Sequence, residues 1–420
     1  MTSGAPLRRL GTADAVVLGL AAMLGTGVFA VWTPAAAAAG PWLLLSVLLA
    51  AVVATCNAAS TADLAVAHPE SGGGYVYGHE RLSPGAGRLA GVAFVVGKLS
   101  SAAAAAGVFG GYVLPSQPLT AAIPAVVVVS VLNSAGVRWT ARGAYTLVGG
   151  TLVVLLAVVV VGLFGPGPDA SVAPAVEPPP GVGEPSVLGV LTAAGLVFFA
   201  FAGYARIATL AGEVVDPGRT LRRAIGLALG IALATYVLVA VALLVGLGSA
   251  RLAVEPSPLV VLVDTNGANA LGVLVRVGAA VAAGSALLSV LVGVSRTGVA
   301  MARRGDLPAW LGRIGRRGTP YRADAVGGLV AVALTVLTGP AAAIALSACS
   351  VLVYYAVINL AALRLPAEAR RWPRWTAWLG LVLCLGLAVL LPPVPVLATT
   401  AALAVGWTAV TLLRPRWGRA

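Results

Sequence analysis

Gly25, Thr26 and Gly27 interrupt one apolar run, LGLAAMLGTGVFAVW, and Phe199, Ala200, Ala202 and Gly203 surround a second interruption in GLVFFAFAGYARIATLAGEV. Glycine inside a helix costs about 1 kcal/mol relative to alanine, so both runs are expected to break there. A break over Gly25 to Val28 frees backbone N–H groups and sets the positive end of the following half-helix beside them, which suits a carboxylate. A break near Phe201-Ala202-Gly203 frees the carbonyls of Phe199, Ala200 and Ala202, which suit an ammonium group. Donors for an acid and acceptors for an amine together describe non-covalent capture of a zwitterion. The competing reading is a small-residue helix contact, with Phe199 and Phe201 as packing rather than as gate or pocket aromatics.

Four further residues carry charge where it is costly. Lys98, Arg206, Arg276 and Arg296 fall inside apolar segments, and a cation at the bilayer centre costs about 2.5–3.5 kcal/mol on insertion scales. Lys98 can shed its proton when desolvated, whereas arginine cannot. Lys98 is therefore the candidate for proton coupling or for filling a cation site, against a structural bond to helix-end carbonyls. Arg206 is expected to pair with Glu213 at an inner gate or to approach the substrate carboxylate. Arg296 is expected at the same gate with Asp14, Asp63 or Glu213. Ser285 and Ser289, four apart, share a helix face. His68 and His79, eleven residues apart in a glycine-rich link, read as interfacial side chains rather than a metal site, and Cys56, Cys349 and Cys384 read as small packing residues. No cofactor or metal is expected.

The elements that must position these groups are membrane spans. Of 420 residues 59% are hydrophobic and 10% charged, against roughly 45–50% and about 25% in soluble proteins. Twelve stretches reach the span length of about 20 apolar residues: 13–36, 40–66, 86–113, 119–136, 143–165, 187–214, 222–248, 269–302, 323–339, 341–363, 375–391 and 395–413. The eighth is long enough to tilt or to extend beyond the bilayer. The A-x-A pattern in PAAAAAG after the first stretch is not read as signal cleavage, because that stretch is too long for a signal segment. The net charge of +13 does not indicate a nucleic-acid partner. Of the 27 lysines and arginines, the four within spans aside, only Arg251 falls on the side opposite the amino terminus. That asymmetry places both termini in the cytoplasm.

The longest external connection, 165–186, is proline-rich and is expected to be an irregular solvated loop. It separates spans one to five (13–165) from spans six to ten (187–363), with two extra spans over 375–413. Five is odd, so a structural repeat would be inverted. Broken helices at corresponding places in two repeats point to a midplane substrate site.

The patterns GTGVF in span one, HPESGGGYVYGHE after span two, FFAFAGYARIATLAGEVVDPGRTLRRAI across span six, and SRTGVAMARRGDLP after span eight together resemble the amino acid permeases of the amino acid, polyamine and organocation superfamily. The resemblance covers most of the first ten spans. It implies an all-α, LeuT-like five-plus-five inverted-repeat fold working by alternating access. It further implies that Gly25, Thr26 and Gly27 receive the substrate carboxylate, that Phe199, Ala200 and Ala202 receive the amine, and that Phe199 gates. The chain departs from many relatives in carrying Ala205 and Arg206 where they have a glutamate. It also lacks the fifth-span lysine that replaces sodium in some of them; its only lysine is Lys98.

A polytopic enzyme is disfavoured by the lack of H-E-x-x-H, G-x-S-x-G or paired intramembrane aspartates. A major-facilitator transporter would divide six plus six, with a long link after span six where this chain has only DPGRTLRR. A channel would need a filter-like ring motif. The expectation is a secondary transporter of the cell membrane, proton-coupled, taking up small neutral amino acids past Ala200, Ala202 and Val290, with an amino acid/amine exchanger of the same fold as the alternative. Lys98 or Arg206 facing the pocket would favour an acidic substrate instead. Oligomeric state is not legible.

Overall fold

The computed structural model describes residues 10–68, 72–136, 141–167, 178–208, 210 and 214–417. Among these the chain is all-helical, its sole β pairing an isolated parallel bridge between Leu10 and Val214. The first span is α1 (Thr12–Met23), α2 (Gly27–Ala30) and α3 (Trp32–Ala39) in succession, followed by α4 (Leu43–Ala67) and the short α5 (Gly74–Arg81). Next come α6 (Pro84–Val113), α7 (Pro118–Ser134) and α8 (Ala141–Phe164). The sixth span is α9 (Val187–Phe201), a 3₁₀ turn over Ala202–Tyr204 and α10 (Ala205–Ala208). Then follow α11 (Pro217–Leu252), α12 (Pro258–Thr265), α13 (Asn269–Arg303), α14 (Tyr321–Leu337), α15 (Pro340–Leu363), α16 (Arg374–Leu390) and α17 (Pro393–Trp417).

Among the described residues nine helical stretches are long and apolar enough to cross a membrane, and α7 and α16, of 17 residues each, are shorter apolar helices; α14, also of 17 residues, lies over the expected ninth segment. The α13 helix has 35 residues, which at about 1.5 Å each is much longer than roughly 30 Å of hydrocarbon. Prolines open α6, α7, α11 and α15 at a position whose N–H has no helical partner. Ser83 and Ser186 cap α6 and α9, their hydroxyls accepting from the Ala86 and Gly189 nitrogens at 3.2 and 2.9 Å.

At the centre α6 packs against α13 and α15, while α17 leans on α6 and α15 from outside. Leu385, Val389, Leu397, Val405 and Leu412 are left exposed along the outer faces of α16 and α17, the surface that lipid covers.

Two links make contacts that their sequences did not show. The link after α4 is folded: α5 buries Tyr75 and Tyr77, and the His79 side chain is only 13% exposed, its Nε2 lying 3.6 Å from Asp306 Oδ2. The connection before α9 is docked where it is described. The Gly183 nitrogen donates to the Ala37 carbonyl at 2.7 Å, and Gly40, at φ 52°, lies where any Cβ would collide with the Gly183 carbonyl.

Candidate functional site

Both interruptions are present, and they touch. The first leaves Leu24 to Thr26 as a turn between α1 and α2, and the second is the 3₁₀ turn after α9. A Cβ on Gly27 would sit 2.5 Å from Ala200 Cα, and one on Gly203 would sit 2.6 Å from the Met23 nitrogen. Each break thus holds a glycine against the backbone of the other span, a reciprocal contact that no side chain fits. Gly25 points elsewhere: its Cβ position is 2.9 Å from Ala286 Cβ on α13.

Tyr236, the only aromatic residue of α11, joins the two breaks. Its hydroxyl lies 2.7 Å from the Met23 carbonyl and 3.0 Å from the Ala200 carbonyl. Its ring packs edge-on against Phe201 and Trp32. The Ala200 carbonyl, expected to serve an amine, is therefore already engaged on one side by a phenol. A lone tyrosine in an aliphatic span was the available signal for this residue.

A cavity of about 400 Å³ opens beside the crossing, within the range of about 300–1,000 Å³ usual for small-molecule sites. Its wall includes Thr26, Gly27, Phe199, Ala200, Ala202 and Gly203, together with Lys98, Arg206 and Arg296, but not Gly25. Of Ser285 and Ser289 only Ser289 reaches it, and Phe201 is fully buried behind it. Thr26 is 4% exposed and its hydroxyl has no hydrogen-bond partner among the described residues.

The cavity runs from the breaks to the α4–α5 link, where His68, Gly72, Gly73 and Tyr77 line it. His68 Nε2 accepts from Arg81 Nε at 2.7 Å, and burial pushes the Tyr77 phenol well above its ordinary pKa, keeping it a neutral donor. The opposite side is sealed. Phe29 and Trp32 are fully buried, Tyr112 packs edge-on against Phe29 and donates to its carbonyl at 3.1 Å, and the Thr33 hydroxyl donates to the Glu255 carbonyl.

Lys98 meets no carboxylate among the described residues; its ammonium lies 5.8 Å from the centre of the Phe94 ring. The acids expected beside Arg296 are engaged elsewhere. Asp14 accepts from the Gly11 nitrogen and the Tyr145 hydroxyl at 3.0 and 3.1 Å. Asp63 accepts from the backbone nitrogens of Arg371 and Trp372 at 3.1 and 3.3 Å. Glu213 lies outside the described residues.

On the open side the buried Asp306, single acid of the loop MARRGDLPAWLGRIGRR, accepts from Arg88 Nε at 3.1 Å and from the Tyr75 hydroxyl at 2.6 Å. It ties the end of α13 to α5 and α6. The sequence offered this pairing only as one carboxylate among many arginines.

The chain matches the family model described as amino acid permease over residues 14–414. It is 48% identical over 411 residues to an uncharacterized transporter of Mycobacterium tuberculosis, covering 97% of this chain and 91% of that protein. It is 29% identical over 353 residues to the branched-chain amino acid permease BcaP of Bacillus subtilis, covering 75% and 71%. With the vacuolar cationic amino acid transporter 2 of Arabidopsis thaliana it shares 31% over 353 residues, 78% of this chain and 55% of that one. A match along nearly the whole chain, joined to the apolar helices and the paired breaks, makes this protein a member of the amino acid permease family of the amino acid, polyamine and organocation superfamily, a multi-pass membrane protein for amino acid transport rather than catalysis.

Proposed function

We propose that the chain is a secondary active transporter that moves an amino acid across the cell membrane by alternating access, with both termini in the cytoplasm. The observation that carries this reading is the cavity itself: it begins where the two broken spans cross, opens toward the α4–α5 link and is closed by Phe29, Trp32 and Tyr112 on the other side. A site reachable from one side at a time is what alternating access requires.

Spans within 13–165 and 187–363 form the two inverted five-helix repeats of a LeuT-like fold, with 375–413 as two added helices. The reciprocal contacts of Gly27 with Ala200 and of Gly203 with Met23 support that relationship. In this reading Thr26 and Gly27 meet the substrate carboxylate, and Gly25 keeps α13 close to the break. The carbonyls of Phe199 and Ala202, with the remaining lone pair of Ala200, meet the ammonium group, and Phe199 gates the pocket. Lys98 carries the coupling proton: a lysine can release its proton on desolvation, and among the described residues no acid fixes it in the charged form. Arg206, Arg296 and Glu213 belong to the inner gate.

Uptake of labelled amino acids into proteoliposomes, without sodium and with an imposed inward proton gradient, tests the reading. Gradient-stimulated accumulation is expected. Exchange from preloaded vesicles without net uptake would replace it by the antiporter, and transport of no amino acid in either mode would overturn it.

A further inference from the structure

The exposed faces of α11 and α16 begin alike, with arginines followed by apolar side chains. On α11 the exposed Arg219, Arg222 and Arg223 lead into Leu227, Ile231 and Leu238, also exposed. Arg223, Leu227 and Ile231 follow one another at four-residue steps, which keeps them on one side of the helix. On α16 the exposed Arg374, Trp375 and Trp378 lead into Val382, Leu385 and Val389. The apolar stretches are surface that lipid covers. A helical turn rises about 5.4 Å, so an arginine one turn before Leu227 stands where hydrocarbon gives way to headgroups. Exposed tryptophans mark the same level on α16.

The fold brings these two arginine groups together. α4 packs against both α11 and α16, and Asp63, near its end, accepts from the Arg371 and Trp372 nitrogens at 3.1 and 3.3 Å. That grip holds the link between α15 and α16 over α4. From there the exposed Arg371 reaches the first turn of α11, where a Cβ on Gly218 would sit 3.3 Å from its Nη2. Arg222 follows Gly218 by four residues, and such positions are neighbours about 5–6 Å apart. Segments 215–223 and 364–375 carry seven arginines against two acids, Asp216 and Glu368. Among the described residues Arg219, Arg222, Arg223 and Arg374 take part in no ion pair. Charge of one sign, drawn from two helices to the level of the headgroups, is complementary to an anionic phosphate ester there.

We propose that this corner between α11 and α16 binds an acidic phospholipid of the inner leaflet, its phosphate held by Arg371, Arg222 and Arg223 and its acyl chains lying on the exposed apolar faces below. The proposal goes beyond the transport reading: it uses the cytoplasmic placement of these segments and is independent of the substrate.

The test titrates labelled phosphatidylglycerol into the purified full chain in zwitterionic detergent, with unlabelled phosphatidylcholine and glycerol 1-phosphate as competitors. Saturable binding that neither competitor displaces is expected. Arg222→Gln and Arg371→Gln should each weaken it about fivefold, the usual share of one arginine at an acidic headgroup. Arg222→Lys and Arg371→Lys should keep most of the affinity and show that the neutral variants fail by charge rather than by folding. A variant carrying Arg313→Gln, Arg316→Gln and Arg317→Gln together, which removes three exposed arginines between α13 and α14, should bind as the unaltered chain does. Equal weakening in that variant would overturn a local site in favour of net charge. Displacement by glycerol 1-phosphate would overturn the lipid in favour of a soluble phosphate ester, and displacement by phosphatidylcholine would overturn the selection for an acidic headgroup. Each of these outcomes leaves the amino acid transporter standing, since uptake is measured apart from lipid binding.

Discussion

The Tyr236 hydroxyl stands 2.7 Å from the Met23 carbonyl, so a side chain of α11 satisfies a main-chain group that the break after α1 sets free. The same hydroxyl reaches the Ala200 carbonyl at 3.0 Å, and the two interruptions are thereby held in one register. In hydrocarbon a freed carbonyl has no water to turn to. Tyr236→Phe keeps the ring packed on Phe201 and removes only the hydroxyl. It is expected to lower stability by about 1–3 kcal/mol, the usual cost of a buried polar group left without its partner, and to slow transport. Thermal unfolding in detergent and initial uptake rates measure the two effects.

Gly27 and Gly203 each meet backbone rather than a movable side chain. With a Cβ only 2.5 Å from Ala200 Cα, Gly27→Ala forces the broken spans apart, and overpacking of this kind costs about 1–3 kcal/mol. Loss of transport with a lowered Tm is expected, and Gly203→Ala should behave alike. Gly226 of α11, with nothing within 4 Å of its Cβ position, is the control. Gly226→Ala should leave uptake intact and raise stability by up to about 1 kcal/mol through helix propensity.

If Lys98 carries the coupling proton and substrate binds better to the protonated form, proton and substrate strengthen each other's binding by the same factor. Accumulation should therefore increase as the pH outside is lowered and fade as it is raised. Lys98→Met should leave exchange measurable while abolishing the response to the gradient. Full gradient-driven accumulation in that variant would assign coupling to another group.

Asp306 is 1% exposed and holds Tyr75 of α5 and Arg88 of α6 to the end of α13. Asp306→Asn leaves the Arg88 guanidinium buried without its charge partner, a change that typically costs about 3–5 kcal/mol. The variant is expected to unfold at a clearly lower temperature. Glu80→Gln, which removes only the more exposed 3.3 Å pair with Arg304, should change stability by about 1 kcal/mol or less.

Much of this protein is set by its amino-acid sequence alone. The bilayer demands long apolar segments, so hydropathy marks the spans without help from neighbours. Basic loops gather on one side, and Gly25, Gly27 and Gly203 mark where helices break. The tertiary structure alone decided what those features face. Gly25 meets α13, whereas Gly27 meets Ala200; the two are only two positions apart, and successive helical residues differ by about 100° in direction. The ties made by Tyr236 and Asp306 were equally hidden. A membrane helix is apolar on every face, so its sequence carries little periodic signal of which face meets protein, which meets lipid and which meets the substrate path. Packing assigns those faces.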